Sequence, residues 1–472
     1  MKPIKPTESH FLFVVLILFI TCSPLFIGIS EKNRPAILPE CSLNKNDFLP
    51  WNGDINTLFP EIVSKVNDVM IELAPVLEYW HAGANDGKLH RTSPESWVSG
   101  FFPGILWQVH AITKNDEWMH PATVWMEGLE SQKMDTTTHD VGFKIYYSYG
   151  LAHRATGNAQ YLDVIHEAAI SLSTRFSETI GCTKSWNWDE GFPVIIDNMM
   201  NLEILLYSHE HGGPAWLKDI AMSHANRTIQ EHIRLDGSTY QVVVYDEGTG
   251  DVIEKVAHQG ISNNTTWARG QSWAIYGFTM LYRYTNESIY LETAKKVADY
   301  WLAEVPLDYV PYWDFNASNP AARDTSAAAI AASGMIELSQ LVVNGNQSSL
   351  YWNAAISTLN SLSSNQYFTI EPNPGIIGQG VQSMPGGSYT NHSLVFGDYY
   401  FLEALNRYIT NTSTICNSCD DLDPIKVYRL IIDGMSNQFF FQMVGTLVFN
   451  GCILIIGTWV LDKRKKRKLH VK

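Results

Sequence analysis

From Ser272 to Thr285 the chain reads SWAIYGFTMLYRYT, and from Ala327 to Leu338 it reads AAAIAASGMIEL. Both stretches are apolar on most sides, and a helix apolar all round belongs in an interior. FKIYYSYGLAHRAT, from Phe143 to Thr156, has the same character. Stretches of this kind begin near Phe101, Gly142, Met199, Gln271, Ser326 and Asp398. Segments of a different kind alternate with them. Leu291, Ala294, Val297, Ala298 and Trp301 share one helical face, while Glu292 and Lys296 form an i,i+4 pair on the other. Most such segments open on an aromatic-aliphatic or aromatic-aromatic pair, as at Trp118-Met119, Tyr161-Leu162, Trp216-Leu217, Tyr290-Leu291 and Tyr351-Trp352. Turns precede them, among them Thr156-Gly157-Asn158 and Gly212-Gly213-Pro214.

Inner helices thus alternate with outer ones, six times over, in units of roughly 40 to 75 residues. A repeat that cannot bury its apolar face alone closes on its neighbours. The fold class read from this rhythm is all-α: an (α/α)6 barrel, or six-hairpin toroid, over residues 40–415, with a helical solenoid as the alternative. If the inner helices run parallel, their N-termini share one mouth. That mouth gathers Trp97, Gly100, His139-Asp140, Asp197-Asn198, Arg269-Gln271, Arg323-Asp324 and Gly397-Asp398. Aspartate is a favoured N-cap and suits the helix dipole, and Asp324 and Asp398 are read that way. Asp140 and Asp197 are read as chemistry, on grounds given below.

The 472 residues suffice for a large core, with 45% apolar residues. The 15 Trp, 22 Tyr and 20 Phe could stack on sugar rings, but composition alone favours plain core packing. A net charge of −15 argues against nucleic-acid binding, which needs a basic stripe. There is no phosphate-binding glycine loop and no metal-ligand spacing, so neither cofactor nor metal is expected.

The two ends place the chain in the secretory pathway. Lys2 and Lys5 precede an apolar run from Phe11 to about Cys22, the pattern of a signal peptide over 1–30; an uncleaved signal anchor is the alternative. Residues 439–461 are long and apolar enough to span a membrane. The basic run Lys463–Lys468 then marks 462–472 as a cytoplasmic tail, behind a stalk at 416–438. The expectation is a single-pass type I membrane protein with its bulk lumenal or extracellular. Sequons at Asn226, Asn263, Asn264, Asn286, Asn316, Asn346, Asn391 and Asn411 agree with that compartment, and a glycan on Asn391 would crowd the mouth. Cys41, Cys182, Cys416 and Cys419 are compatible with two disulfides of unknown pairing.

Seven ordered segments carry a resemblance. They are WVSGFFPGILW from Trp97, THDVGF from Thr138, IIDNMMNLEILL from Ile195, HQG from His258, WARGQSWAIYG from Trp267, RDTSAAAIAASGMIEL from Arg323 and FGDYYFLEAL from Phe396. Together they resemble the unsaturated glucuronyl hydrolases of glycoside hydrolase family 88, from about residue 50 to about residue 410. The resemblance implies an (α/α)6 barrel. It also implies an enzyme acting on the unsaturated uronic acid that polysaccharide lyases leave at a non-reducing end. Such enzymes hydrate the C4=C5 enol ether, and the resulting hemiketal opens and releases the saccharide.

By resemblance Asp197 is the general acid/base, and Asp140 is the second carboxylate, which favours the protonated form of Asp197. Trp97, His139, Gln241, Gln259, Trp267, Arg269 and Trp273 stand at substrate-binding positions. Arg269 is expected to clamp the uronate carboxylate with its fork. The tryptophans are expected to offer stacking surfaces. Gln241 departs from the family, which places a histidine after the segment matching Asp236-Gly237-Ser238-Thr239; an amide orients water but takes no proton, and the nearby His258 could compensate. The alternatives are an unsaturated galacturonyl hydrolase acting on pectin fragments, a catalytically inactive sugar-binding membrane receptor, and a purely structural membrane glycoprotein.

Overall fold

The computed structural model describes residues 50–53, 55–74, 78–187 and 191–415. The expected signal segment 1–30, residues 40–49 of the barrel, the stalk 416–438, the span 439–461 and the tail 462–472 lie outside the described residues. Among the described residues no helix is long and apolar enough to cross a membrane.

Among those residues, six inner helices follow one another along the chain. The first is Phe101–Thr113; the second runs through Val141–Ile145 and Leu151–Thr156; the third through Asn198–Asn201 and Glu203–Glu210. The fourth is Ala268–Thr285, the fifth Thr325–Leu341 and the sixth Val395–Ile415. Each packs on the next, and the sixth packs on the first. That closure makes a barrel and excludes the open solenoid. Outer helices Met119–Glu127, Ala159–Ser173, Trp216–Glu231, Ser288–Glu304 and Gly345–Leu362 alternate with the inner ones, and Ile55–Leu73 precedes them all.

The sequence explains the division. Helix Thr325–Leu341 buries nearly every residue from Thr325 to Ser339, whereas Ser288–Glu304 buries only the stripe Tyr290, Thr293, Ala294, Val297, Ala298 and Trp301. Small residues set how closely the inner helices approach. A Cβ on Gly142 would stand 2.5 Å from Asn201 Oδ1, and one on Gly277 would stand 2.6 Å from Met199 Cβ. The second, third and fourth inner helices are therefore drawn tightly together at the mouth. A π-helical turn, Tyr146–Gly150, interrupts the second inner helix.

The all-α expectation needs amending, because the chain is mostly helical rather than wholly so. Short strands occupy the long connections that lead into the mouth. β1 (Tyr79–Gly83), β2 (Leu89–Thr92), β8 (Gly380–Ser383) and β9 (Ser388–Leu394) form a sheet in the order β2-β1-β9-β8. β3 (Phe176–Ser177) pairs with β4 (Cys182–Thr183), and β5 (Phe192–Ile195), β6 (Val242–Tyr245) and β7 (Val252–Val256) form a second antiparallel sheet. The β-branched run Val242-Val243-Val244 is the local cause of β6. Cys182 is buried and unpaired, which removes it from the expected pair of disulfides; Cys41, Cys416 and Cys419 lie outside the described residues.

Candidate active site

The second sheet delivers Asp197. β5 pairs with β6 through Ile195 opposite Val242, and the Ile196 amide donates to the Gln241 carbonyl at 2.9 Å. The chain then turns at Asp197 into helix Asn198–Asn201. Asn198 fixes this turn by donating to the Thr183 carbonyl at 2.8 Å and accepting from Ser185 Oγ at 2.7 Å. Asp140 stands at the same place on the second inner helix. Asn201 ties the two turns together, because its Oδ1 accepts from the Phe143 amide at 2.7 Å.

Asp140 and Asp197 both occupy N-cap positions, yet neither side chain caps its helix. Asp324, at the equivalent point of the fifth inner helix, does cap, accepting from the Ser326 and Ala327 amides as the sequence suggested. Asp398 does not. It lies inside the first turn of the sixth helix and accepts from the Ile376 and Ile377 amides at 2.9 Å each, which secures a loop rather than a cap.

The two uncapping aspartates have different surroundings. Asp140 accepts from Thr138 Oγ1 at 2.8 Å, and its other oxygen lies 3.3 Å from His139 Nε2. Asp197 Oδ2 is shut away from solvent and has no hydrogen-bond partner. Burial pushes the Asp197 carboxyl up to about 7; the Arg269 charge opposes the rise and the Asp140 charge adds to it. The Trp273 indole, itself buried without an ordinary hydrogen bond, is a weak counterweight. A carboxyl that titrates near neutrality can hold a proton and surrender it in one cycle.

The remaining expected site residues divide sharply. Trp97 is half-buried and, with Asp140 and Thr138, lines a cleft of about 560 Å³ whose other walls include Glu95, Met134 and Asp135. Trp267 and Trp273 are buried at 3% and 0% exposure, so they are core residues and not stacking platforms. Trp273 packs on Phe143 and Tyr400, with ring centroids 5.5 and 5.4 Å away. His139 is buried behind Asp140, and burial holds its imidazole below the ordinary value, hence neutral.

Arg269 does not present a free fork. Its Nη1 donates to Asp324 Oδ2 at 2.8 Å and to the Val381 carbonyl at 2.5 Å, while Nη2 donates to the Gln382 carbonyl at 2.5 Å. The guanidinium also lies 4.5 Å from the Trp267 ring and 5.2 Å from that of Phe396. Local spacing showed the arginine but not its counter-ion 55 residues away. Gln241 is similarly engaged. Its Oε1 accepts from the His258 and Gln259 amides and its Nε2 donates to Gln259 Oε1, each at 2.8 Å. The amide thus ties the strand to the loop that bears His258 and Gln259. The His258 ring, which was to compensate, lies edge-on to Trp186 at 6.2 Å.

Two contributors were missed. Gln382 is a hub: its carbonyl accepts from Arg269 and from Gln259 Nε2 at 2.7 Å, and its Oε1 lies 2.6 Å from His81 Nε2. Trp186 is half-buried between His139 and His258, 6.2 Å from each ring. No local pattern marks either residue.

No family model matches the chain. Among curated proteins, it is 41% identical over 331 residues to the unsaturated glucuronyl hydrolase of Formosa agariphila, covering 68% of this chain and 81% of the relative. The chain belongs to the unsaturated glucuronyl hydrolase family. It is also 31% identical over 324 residues to an unsaturated chondroitin disaccharide hydrolase of Streptococcus pneumoniae, covering 66% of this chain and 81% of that one. A crystal structure of an unsaturated glucuronyl hydrolase specific for heparin matches with a TM-score of 0.71 and 34% identity, over 76% of this chain and 98% of the other. The enzyme of Bacillus sp. GL1 matches with a TM-score of 0.70 and 28% identity, over 74% and 96%. The protein is a glycoside hydrolase of the family 88 type, with the α/α barrel of its relatives.

Proposed function

We propose that Asp197 delivers the proton to C4 of an unsaturated glucuronyl residue and then takes a proton from the water that attacks C5. The hemiketal so formed opens and expels the remaining saccharide. The relatives are hydrolases whose names specify glucuronyl, chondroitin or heparin substrates. They favour this reading over a pectin-fragment hydrolase and over an inactive receptor. The observation that carries it is the half-buried Asp197 carboxyl, whose Oδ2 is shut away without a partner and whose proton is held up to about 7, with the charge of Asp140 adding to the effect of burial.

Within that reading Asp140 binds ring hydroxyls from the wall of the cleft and keeps Asp197 protonated. His139 and Asn201 hold Asp140 and its helix in place. Trp97 offers the sugar an apolar edge. Gln241 and Gln259 brace the strand and loop beside the Asp197 turn.

The enol ether absorbs in the ultraviolet and loses that absorbance on hydration. Wild type should bleach unsaturated disaccharides from chondroitin or heparin, and pectin-derived ones poorly. The rate should fall as pH rises through about 7, because Asp197 then loses the proton it must donate. Wild-type activity in Asp197→Asn would remove the residue from this role.

The lumenal, membrane-tethered topology is proposed alongside. Asn226, Asn263, Asn264, Asn286, Asn316, Asn346 and Asn391 are exposed and Asn411 is half-buried, so the described surface accommodates glycans. Enzymatic removal of N-glycans from the full chain should lower its apparent mass, and alkaline carbonate should fail to strip it from membranes. An unglycosylated, extractable chain would overturn this placement.

A further inference from the structure

Arg269 is the cation whose charge opposes the burial that protonates Asp197. Its place is fixed from several sides. The neighbouring Gly270 leaves no room for a Cβ, which would meet the Trp267 ring at 2.8 Å and the Ile196 side chain at 3.2 Å. The fourth inner helix therefore starts hard against the residue that precedes Asp197. Trp267 and Phe396 flank the guanidinium, and the Val381 and Gln382 carbonyls of β8 take its N–H groups. Among the described residues, the one anion bonded to it is Asp324, which is fully buried.

Asp324 is itself over-determined. Oδ1 accepts from Ser326 Oγ at 2.6 Å, from the Ser326 amide at 3.1 Å, from the Val381 amide at 3.3 Å and from the Ala327 amide at 3.4 Å; Oδ2 faces Arg269. These contacts hold the Asp324 carboxyl in one orientation. One side chain thus starts the fifth inner helix, pins β8 and compensates Arg269.

We propose that Asp324 is a positioning residue for the proton donor: it holds the Arg269 guanidinium in place and partly neutralises it where it faces Asp197. The inference rests on Asp197 being the proton donor. If the Arg269 charge were uncompensated, it would stabilise the Asp197 carboxylate, and the enzyme would meet substrate with its proton already gone. With Asp324 present that charge is partly offset, and burial prevails.

Among the described residues, the charged groups around Asp197 are few. Asp140 comes from the second inner helix and Arg269 from the fourth, with Asp324 behind it on the fifth. The sheet wall offers the amides of Gln241 and Gln259. On the sixth helix Asp398 is turned to the Ile376 and Ile377 amides, with Lys65 on its side, and Arg175 acts on His139.

The test is the pH dependence of kcat/KM on an unsaturated chondroitin disaccharide, followed by ultraviolet bleaching. Asp324→Asn should move the alkaline limb to lower pH by roughly one unit. Arg269→Gln should move it to higher pH. The double variant Arg269→Gln/Asp324→Asn, which is again neutral, should bring the limb back near the wild-type position while kcat stays reduced. A role confined to capping and anchoring predicts slower enzymes with the limb in place. If Asp324→Asn does not fold, the comparison of Arg269→Gln with the double variant still decides: coincident limbs overturn the proposal. An inactive Asp197→Asn with immobile limbs throughout sinks only the role of Asp324; an active Asp197→Asn sinks the proton donor itself.

Discussion

The barrel buries charge in two regions and balances it differently in each. Deeper in the barrel, Arg283 bridges Glu203 at 2.5 Å and Glu337 at 2.8 Å, and Arg407 bridges Glu337 at 2.7 Å and Glu403 at 3.7 Å. Arg154 reaches Glu203 as well, Tyr146 donates to Glu203 at 2.8 Å, and Ser333 donates to Glu403 at 2.5 Å. Every one of these acids meets arginine, and the network joins the second to the sixth inner helices. At the mouth, Asp197 feels the charge of Arg269, which is already bonded to Asp324, while Asp140 acts on Arg175. Matched charge holds helices together, whereas a deliberate shortfall of cations leaves a carboxyl that prefers to stay protonated.

Asp197→Asn should break the comparison most visibly at the mouth. The amide is nearly isosteric and donates no acidic proton, so kcat should fall by about two to four orders of magnitude while the fold persists. Ultraviolet bleaching and a thermal melt on the same sample measure both. Retained activity, or loss of the fold, would show that the two regions do not differ as described.

Glu337→Gln tests the deeper region. Burial pushes the Glu337 carboxyl up, but Arg283 and Arg407 outweigh it and hold the group below its ordinary value. Removing the charge leaves two arginines partly unpaired and should cost about 3 to 5 kcal/mol of stability. The position of the alkaline limb in the rate profile should not change. In wild type, because this carboxyl is depressed in the folded state, its stabilisation is present above the unfolded value and is lost as acid titrates it.

Asp197 carries the opposite sign. Its folded value of about 7 lies above the ordinary 3.8, so its contribution favours the folded state at low pH and is lost as pH rises from about 4 through about 7. Asp197→Asn should therefore be more stable than wild type at pH 8 by about 2 to 4 kcal/mol, with the gap closing below pH 4. Denaturant melts across that range would measure it. A gap independent of pH would mean that the carboxyl is not strained at the mouth.

The sequence shows the barrel more readily than the balance of its charges. Starts read near Phe101, Gly142, Met199, Gln271, Ser326 and Asp398 compare with helices that open at Phe101, Val141, Asn198, Ala268, Thr325 and Val395, because burial on all sides leaves an unbroken apolar run. The strands were passed over because they are only two to seven residues long and sit in connections between strong helical patterns. Asp140 and Asp197 could be found because they stand at helix starts within recognisable segments. Charge partners could not: Arg269 meets Asp324 across 55 residues and Arg283 meets Glu203 across 80. Periodicity reports which face of an element is buried, and says nothing about which buried ion another element supplies.

The smallest expected effect on kcat concerns Gln241, where the mouth is closed by amides rather than ions. Its Oε1 takes two backbone amides from the loop bearing His258 and Gln259, and its backbone carbonyl takes the Ile196 amide beside Asp197. Truncation to alanine leaves the backbone pairing intact and removes the acceptor for the loop and the donor to Gln259. Each lost hydrogen bond is worth about 0.5 to 1.5 kcal/mol net, so the three lost in Gln241→Ala should cost about 1.5 to 4.5 kcal/mol of stability. Gln259 then loses one partner, and through Gln382 the slack reaches the β8 carbonyls that bind Arg269. KM should rise more than kcat falls, because the wall shifts while the Asp197 turn stays paired to its strand. A fall in kcat approaching that of Asp197→Asn would instead put the Gln241 amide on the reacting water and return it to the catalytic group.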